Sequence, residues 1–384
     1  MASASVRIGF LLMIAAVVTA ACSDDSDTDL FGTGGSAGAG GSGGAGGGGD
    51  GCMAGFADCD GDETNGCELD VRSDAMNCGG CNAMCLDSSC AVGDCTGITL
   101  LAADQGLVND LAVDGKNLYW TSGDAAGTVS QMRKGGGPIT ALATDQSSPY
   151  AVAVDATHVY WTNLNVPAIM KTPIGVAAPE LLAANQGTPF GIAVDAAAVY
   201  WTRAGGDPQT SGVARLPIAG GDPALIVTGG DAPYAIAVDA DSVYWTDRDA
   251  DTIMKAPLAG GAATTLASGQ IEPYGIALDA GHVYWVNHGC ASGPECVMRM
   301  RKDGSGGEEP LAGDQSVPYG IATDGVHVYW TDVGLNMVMR ALADGSGQPE
   351  AIAEQQSSPV RMAIDDTYIY WLNEGDGSIR KLHK

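Results

Sequence analysis

From residue 97 to the end, apolar runs and turn residues alternate in a pattern that repeats seven times. One repeat, PYAIAVDADSVYWTDRDADTIMKAPLAGGAATTLASGQIE from Pro233, divides into four short runs. YAIAVD alternates and ends at Asp239. SVYWTD is β-branched and aromatic. TIMKA precedes a proline and a Gly-Gly turn, and ATTLAS closes the unit. Short runs of this kind, bounded by Gly, Pro and Asp, predict strands, and no helical period competes. The landmark of each repeat is a tyrosine followed by tryptophan: Tyr119-Trp120, Tyr160-Trp161, Tyr200-Trp201, Tyr244-Trp245, Tyr284-Trp285, Tyr329-Trp330 and Tyr370-Trp371. These pairs lie 41, 40, 44, 40, 45 and 41 residues apart. A period of that size with four strands per unit predicts the blades of a β-propeller.

The wedge between two blades explains where the aromatics fall. Strands covered on both faces read as continuous apolar runs, and VYW is such a run. Small residues suit the narrow hub: Ala112, Ala153, Ala193, Ala237, Ala277, Ala322 and Ala363 hold one place in the inner strands. Large rings suit the wider gap, where each enclosed aromatic buries ~150–250 Å². Core residence is therefore expected for the tryptophans in preference to an exposed sugar-stacking stripe. Asp114, Asp155, Asp195, Asp239, Asp279, Asp324 and Asp365 end the inner strands, where a carboxylate can accept backbone N–H groups of the turn. The last repeat stops after its third strand, and GITLLA at 97–102 matches a fourth. The expected fold is thus all-β: a seven-bladed propeller over 97–384, with four-stranded blades and the N-terminal strand closing the last one.

The first 96 residues have a different composition. Arg7 is followed by an apolar stretch from Ile8 to Val18 and by Thr19-Ala20-Ala21-Cys22. That stretch is short for a membrane span, so residues 1–21 read as an export signal. TAAC resembles a bacterial lipobox, with Thr19 where leucine is usual, and the resemblance implies lipidation of Cys22. Residues 22–51 are acidic and then almost pure Gly, Ser and Ala, the composition of a flexible tether. Residues 52–95 hold eight cysteines, at 52, 59, 67, 78, 81, 85, 90 and 95. In an exported chain this predicts a disulfide-stapled module, preferred to a zinc knot, with the pairing open. The segment resembles short Cys-rich repeats of exported Gram-negative proteins. Within it, DCDGDETNGCE sets Asp58, Asp60, Asp62, Asn65 and Glu68 at short spacing. It resembles aspartate-rich calcium loops but departs from the EF-hand, so Ca²⁺ and a merely solvated turn both stand as readings.

The chain carries 46 acidic and 18 basic residues, a formal charge of −28. Such a surface repels phosphate backbones and anionic lipid, which excludes nucleic acid and leaves a lipid anchor as the membrane contact. YWTD at 244–247 and 329–332, and YWT in three other repeats, resemble the YWTD propellers of lipoprotein-receptor ectodomains and related bacterial propellers. The resemblance implies the propeller fold. This chain has seven repeats where that family usually has six, so the receptors' ligand surface is not carried over.

In propellers, the loops leading into the inner strand and those joining the second and third strands share one face. Here they offer Tyr150, Phe190, Tyr234, Tyr274 and Tyr319 as a ring at the channel mouth, or as a plug within it. Asn163, Arg203, Asp247, Asn287, His288, Asp332 and Asn373 are the polar candidates. Aromatic rings with amide and carboxylate tips suit a sugar or peptide. Cys290 and Cys296 are expected to form a disulfide in the loop of blade five. His158, His282 and His327 share one repeat position and read as structural, and no nucleophile motif such as G-x-S-x-G occurs. The expectation is a monomeric envelope lipoprotein whose propeller binds an envelope protein or glycan without catalysis. The alternative is a metal-assisted lyase or lactonase at the channel mouth.

Overall fold

The computed structural model describes residues 56–57, 69–78, 81, 83–86, 89–91, 94–95, 97–123, 126–205, 209–289 and 296–384. Seven antiparallel sheets form a ring, six with four strands and one with five. In the fourth blade the strands are Pro233–Val238, Ser242–Asp247, Thr252–Pro257 and Thr264–Ser268, running outward in that order. Each inner strand touches the next, and that of the seventh blade, Pro359–Ile364, touches that of the first, Val108–Val113. The seventh blade takes its fourth strand from the other end of the sequence: Thr99–Ala102 pairs with Ser378–His383. The seven-bladed ring and its closure agree with the sequence reading.

The Tyr-Trp run is the interior of every blade. All seven tryptophans are buried, with exposures of 0–2%. Each tyrosine of the pair points its hydroxyl to the turn aspartate five residues upstream, at 2.6–3.1 Å in all seven blades. The other carboxylate oxygen holds the turn, as where Asp239 Oδ1 accepts the Asp241 and Ser242 amides. One aspartate thus satisfies both a buried phenol and two turn N–H groups that would otherwise lack partners.

A glutamine fifteen residues before the tryptophan was not singled out in the sequence, yet it caps the same core. The indoles of Trp161, Trp285, Trp330 and Trp371 donate to Gln146, Gln270, Gln315 and Gln356. The residue just before the glutamine has positive φ: Asp145 at 55°, Gly269 at 73°, Asp314 at 55° and Gln355 at 55°. Gly and Asp tolerate that region best, which is why most of these sites read Asp-Gln or Gly-Gln.

The Cys-rich segment does not stand clear of the ring. Met84–Cys85 pairs with Leu100 and Thr99, adding a fifth strand to the outer edge of the seventh blade. Cys78–Cys90 and Cys85–Cys95 are disulfides, so one cystine sits in that strand. Ala83 is fully buried in a cluster with Leu101, Ala102 and Met132. Gly136, in the turn after the third strand of blade one, has φ +97°, and a Cβ there would lie 2.8 Å from the Cys81 carbonyl. Glycine at that point lets the segment seat against the first blade.

Candidate functional site

The loops before the inner strands and those after the second strands lie on one face. Backbone bonds tie them together: Leu164 to Ser148, Arg248 to Ala232, His288 to Glu272, Val333 to Val317 and Glu374 to Ser358. The five predicted mouth aromatics start the inner strands of blades two to six and converge on the axis. Tyr150, Phe190, Tyr234, Tyr274 and Tyr319 touch one another with ring centroids 4.5–6.2 Å apart. They therefore close the channel as a contiguous aromatic plug. Tyr234 is its buried centre, and the other four are half-buried. Mutual edge and tilted contacts of this kind stabilise beyond the area they bury.

His288 extends the plug, stacked on Tyr274 at 4.7 Å and 25°, with Nδ1 3.5 Å from the Glu272 carboxylate. Arg248 lies over the Tyr234 ring at 5.6 Å and pairs with Asp249. Arg203 is half-buried, and burial lowers its pKa from the ordinary arginine value. The other polar candidates are drawn into the blades. Asn163, Asn287 and Asn373 are buried and donate to the same glutamines that cap the tryptophans. Asp247 accepts the Asp231 and Ala232 amides, and Asp332 accepts those of Ser316, Val317 and Leu335. These five side chains shape the loops and present no polar tip at the mouth. Cys296 is buried and disulfide-bonded, whereas Cys290 lies outside the described residues. Cys22, Asp58, Asp60, Asp62, Asn65 and Glu68 also lie outside them.

Next to the plug, one and two residues further along the inner strands, lies a chamber of about 150 Å³. Its lining includes Gly191, Ala235, Gly275 and Gly320, and isoleucines 192, 236, 276 and 321. Two charged residues join this lining, and the sequence reading passed over both. Arg361 and Asp110 occupy the repeat position that is Ala or Gly in blades two to six. The signal was present in the alignment of repeats, but only ring closure makes blades one and seven neighbours. Arg361 Nε lies 3.9 Å from Asp110 Oδ1. Its guanidinium sits 4.9 Å from the Tyr319 ring centroid and 5.7 Å from that of Tyr234. Burial raises the Asp110 pKa, with Arg361 opposing the shift. Burial also pushes the Tyr319 phenol up to about 12, again against the pull of Arg361.

Neither a family model nor a curated protein matches the sequence. Solved structures do match. A virginiamycin B lyase from Staphylococcus aureus is 18% identical with a TM-score of 0.62, over 75% of this chain and 98% of that one. The WD40 propeller domain of Doa1 is 14% identical with a TM-score of 0.60, over 75% and 98%. A chain of a nidogen/laminin complex is 20% identical with a TM-score of 0.49, over 63% and 93%. At these identities the likeness is one of fold: this chain shares the β-propeller with a lyase and with a WD40 domain.

Proposed function

We propose that the protein is exported, anchored to the cell envelope through lipid on Cys22, and binds an envelope protein or glycan at the aromatic mouth of its propeller. The reading rests on one observation. Half-buried rings of Tyr150, Phe190, Tyr274 and Tyr319 gather with His288 and Arg248 on one face of a strongly acidic chain. Flat apolar faces beside a cation and an imidazole suit a sugar ring or an aromatic or acidic peptide side chain. The Gly-rich segment would carry that face away from the membrane surface. The test is binding of the full chain to immobilised envelope glycans and envelope proteins, beside Phe190→Ala and Tyr274→Ala. Loss of binding in these variants with the fold retained supports the mouth. Unchanged binding rejects it. Metabolic labelling with a fatty-acid analogue, lost in Cys22→Ala, tests the anchor.

A second reading is favoured by His288. A histidine-to-alanine form of the Staphylococcus aureus virginiamycin B lyase is described as catalytically inactive. His288, beside Glu272, is the one described histidine on the mouth face here. Turnover of virginiamycin B or quinupristin by the full chain, abolished in His288→Ala, would establish a lyase. An intact substrate after prolonged incubation would remove that reading.

A further inference from the structure

The chamber next to the plug carries its own chemistry. Arg361 presents five N–H donors in a planar fork. Among the described residues it makes one hydrogen bond, from Nη2 to the Tyr234 hydroxyl at 3.4 Å, and its Nε has no acceptor. The 3.9 Å separation from Asp110 is an ion pair without a hydrogen bond. Asp110 also has another engagement, because its Oδ2 accepts the Val152 amide at 3.0 Å. The side chain of Arg361 is 14% exposed, and it lines the chamber. A largely buried guanidinium with one long hydrogen bond and no acceptor on Nε is favoured by an acceptor in the chamber.

The walls sharpen the choice of ligand. Amides of Gly191, Ala235 and Gly320 are donated to threonine hydroxyls, so they do not compete for a bound anion. The Tyr234 hydroxyl meets those of Tyr150 and Tyr319, which places phenolic donors beside the guanidinium. The remaining lining is backbone and side chains of Ala, Gly, Ile and Met362, which leaves room for a short ligand only. A cavity near this volume holds a molecule of about benzene size. Asp110 already compensates part of the arginine charge, so a monoanion leaves less net charge in a low-dielectric site than a dianion would. We propose that the central chamber binds a small monocarboxylate, held by charge-assisted hydrogen bonds from Arg361. The site adjoins the plug and shares the Tyr150, Tyr234 and Tyr319 hydroxyls with it, while Arg361 and the chamber lining belong to it alone.

The test is ligand-observed NMR titration of the full chain with acetate and propionate in chloride buffer. A saturable site is expected, with affinity lowered at least about tenfold in Arg361→Gln, as loss of a charge-assisted pair implies. Ala235→Leu, which keeps the guanidinium and fills the chamber, should weaken binding as strongly, and it decides the matter should the arginine variant fail to fold. No saturable binding by the wild type overturns the proposal. So does equal affinity in a folded Arg361→Gln or Ala235→Leu chain. Sulfate competing as well as acetate would overturn the choice of a monoanion.

Discussion

Thr202 in the third blade donates its hydroxyl to the backbone carbonyl of Tyr234 in the fourth, at 2.7 Å. The Thr202 hydroxyl oxygen also accepts the Gly191 amide of its own blade at 2.9 Å. The bond recurs from Thr121, Thr162, Thr246 and Thr331 to the carbonyls of Tyr150, Phe190, Tyr274 and Val360. Threonine follows Tyr-Trp in five repeats because one hydroxyl can staple two inner strands at the hub.

Two blades lack the staple, with Val286 and Leu372 in its place. Thr202→Val is nearly isosteric and leaves a carbonyl and an amide without partners, so a loss of about 1–3 kcal/mol is expected. Val286→Thr supplies the missing hydroxyl and should be neutral or stabilising. Urea unfolding of both variants checks the pair, and a Thr202→Val chain as stable as wild type would contradict the staple.

The tryptophans should differ in their tolerance of phenylalanine. The Trp371 indole donates to Gln356 at 3.0 Å, whereas that of Trp245 has no acceptor among the described residues. Both substitutions remove similar volume from a sealed wedge. Trp371→Phe also removes the indole hydrogen bond, although the Gln356 oxygen keeps Asn373 and Arg380 as donors, so it should cost about 1 kcal/mol more than Trp245→Phe. Chemical denaturation at neutral pH measures the difference.

Acid should weaken the ring through its turn aspartates. Burial alone would raise the carboxyl pKa of Asp324 and Asp365. Backbone amides, the tyrosine hydroxyls and Lys384 or Lys134 outweigh it and hold both at about 2. A folded pKa below the unfolded value means stabilisation that is complete above about pH 4 and is lost as pH falls towards 2. Asp365→Asn should lower stability at pH 7 and flatten the dependence between pH 4 and 2. Comparing unfolding midpoints of variant and wild type at each pH removes the general effect of the −28 charge. Parallel profiles would contradict the assignment.

Reduction should loosen the closure seam before the rest of the ring. Cys85 pairs with Thr99 in the outer edge of the seventh blade and is bonded to Cys95. Breaking that bond and Cys78–Cys90 frees the added strand, so the amides of residues 99–102 should exchange faster under thiol. Strands of blade three, which holds no cysteine and adjoins neither blade five nor blade seven, serve as the internal reference. Equal protection of both regions in thiol would show that the fifth strand adds nothing to closure.

The propeller was legible in the sequence because its determinants are local and repeated. Strand alternation, the Tyr-Trp run, the turn aspartate and the missing seventh outer strand each lie within one 40-residue unit, so seven copies state the same rule. The direction of a polar side chain was not legible. Asn163 and Asp247 end the second strand, where side chains could reach the mouth, yet a glutamine and two loop amides, respectively, draw them inside. Such competition between partners is settled only when the loop's left-handed turn is built. Arg361 and Asp110 show the limit most plainly. Each breaks the small-residue rule in its own repeat, but they meet only because the last blade closes against the first. The sequence by itself determined blade number, strand order and core. Tertiary structure decided that the aromatics close the channel and that one ion pair lies next to them, because burial and charge pairing depend on neighbours that the chain order does not adjoin.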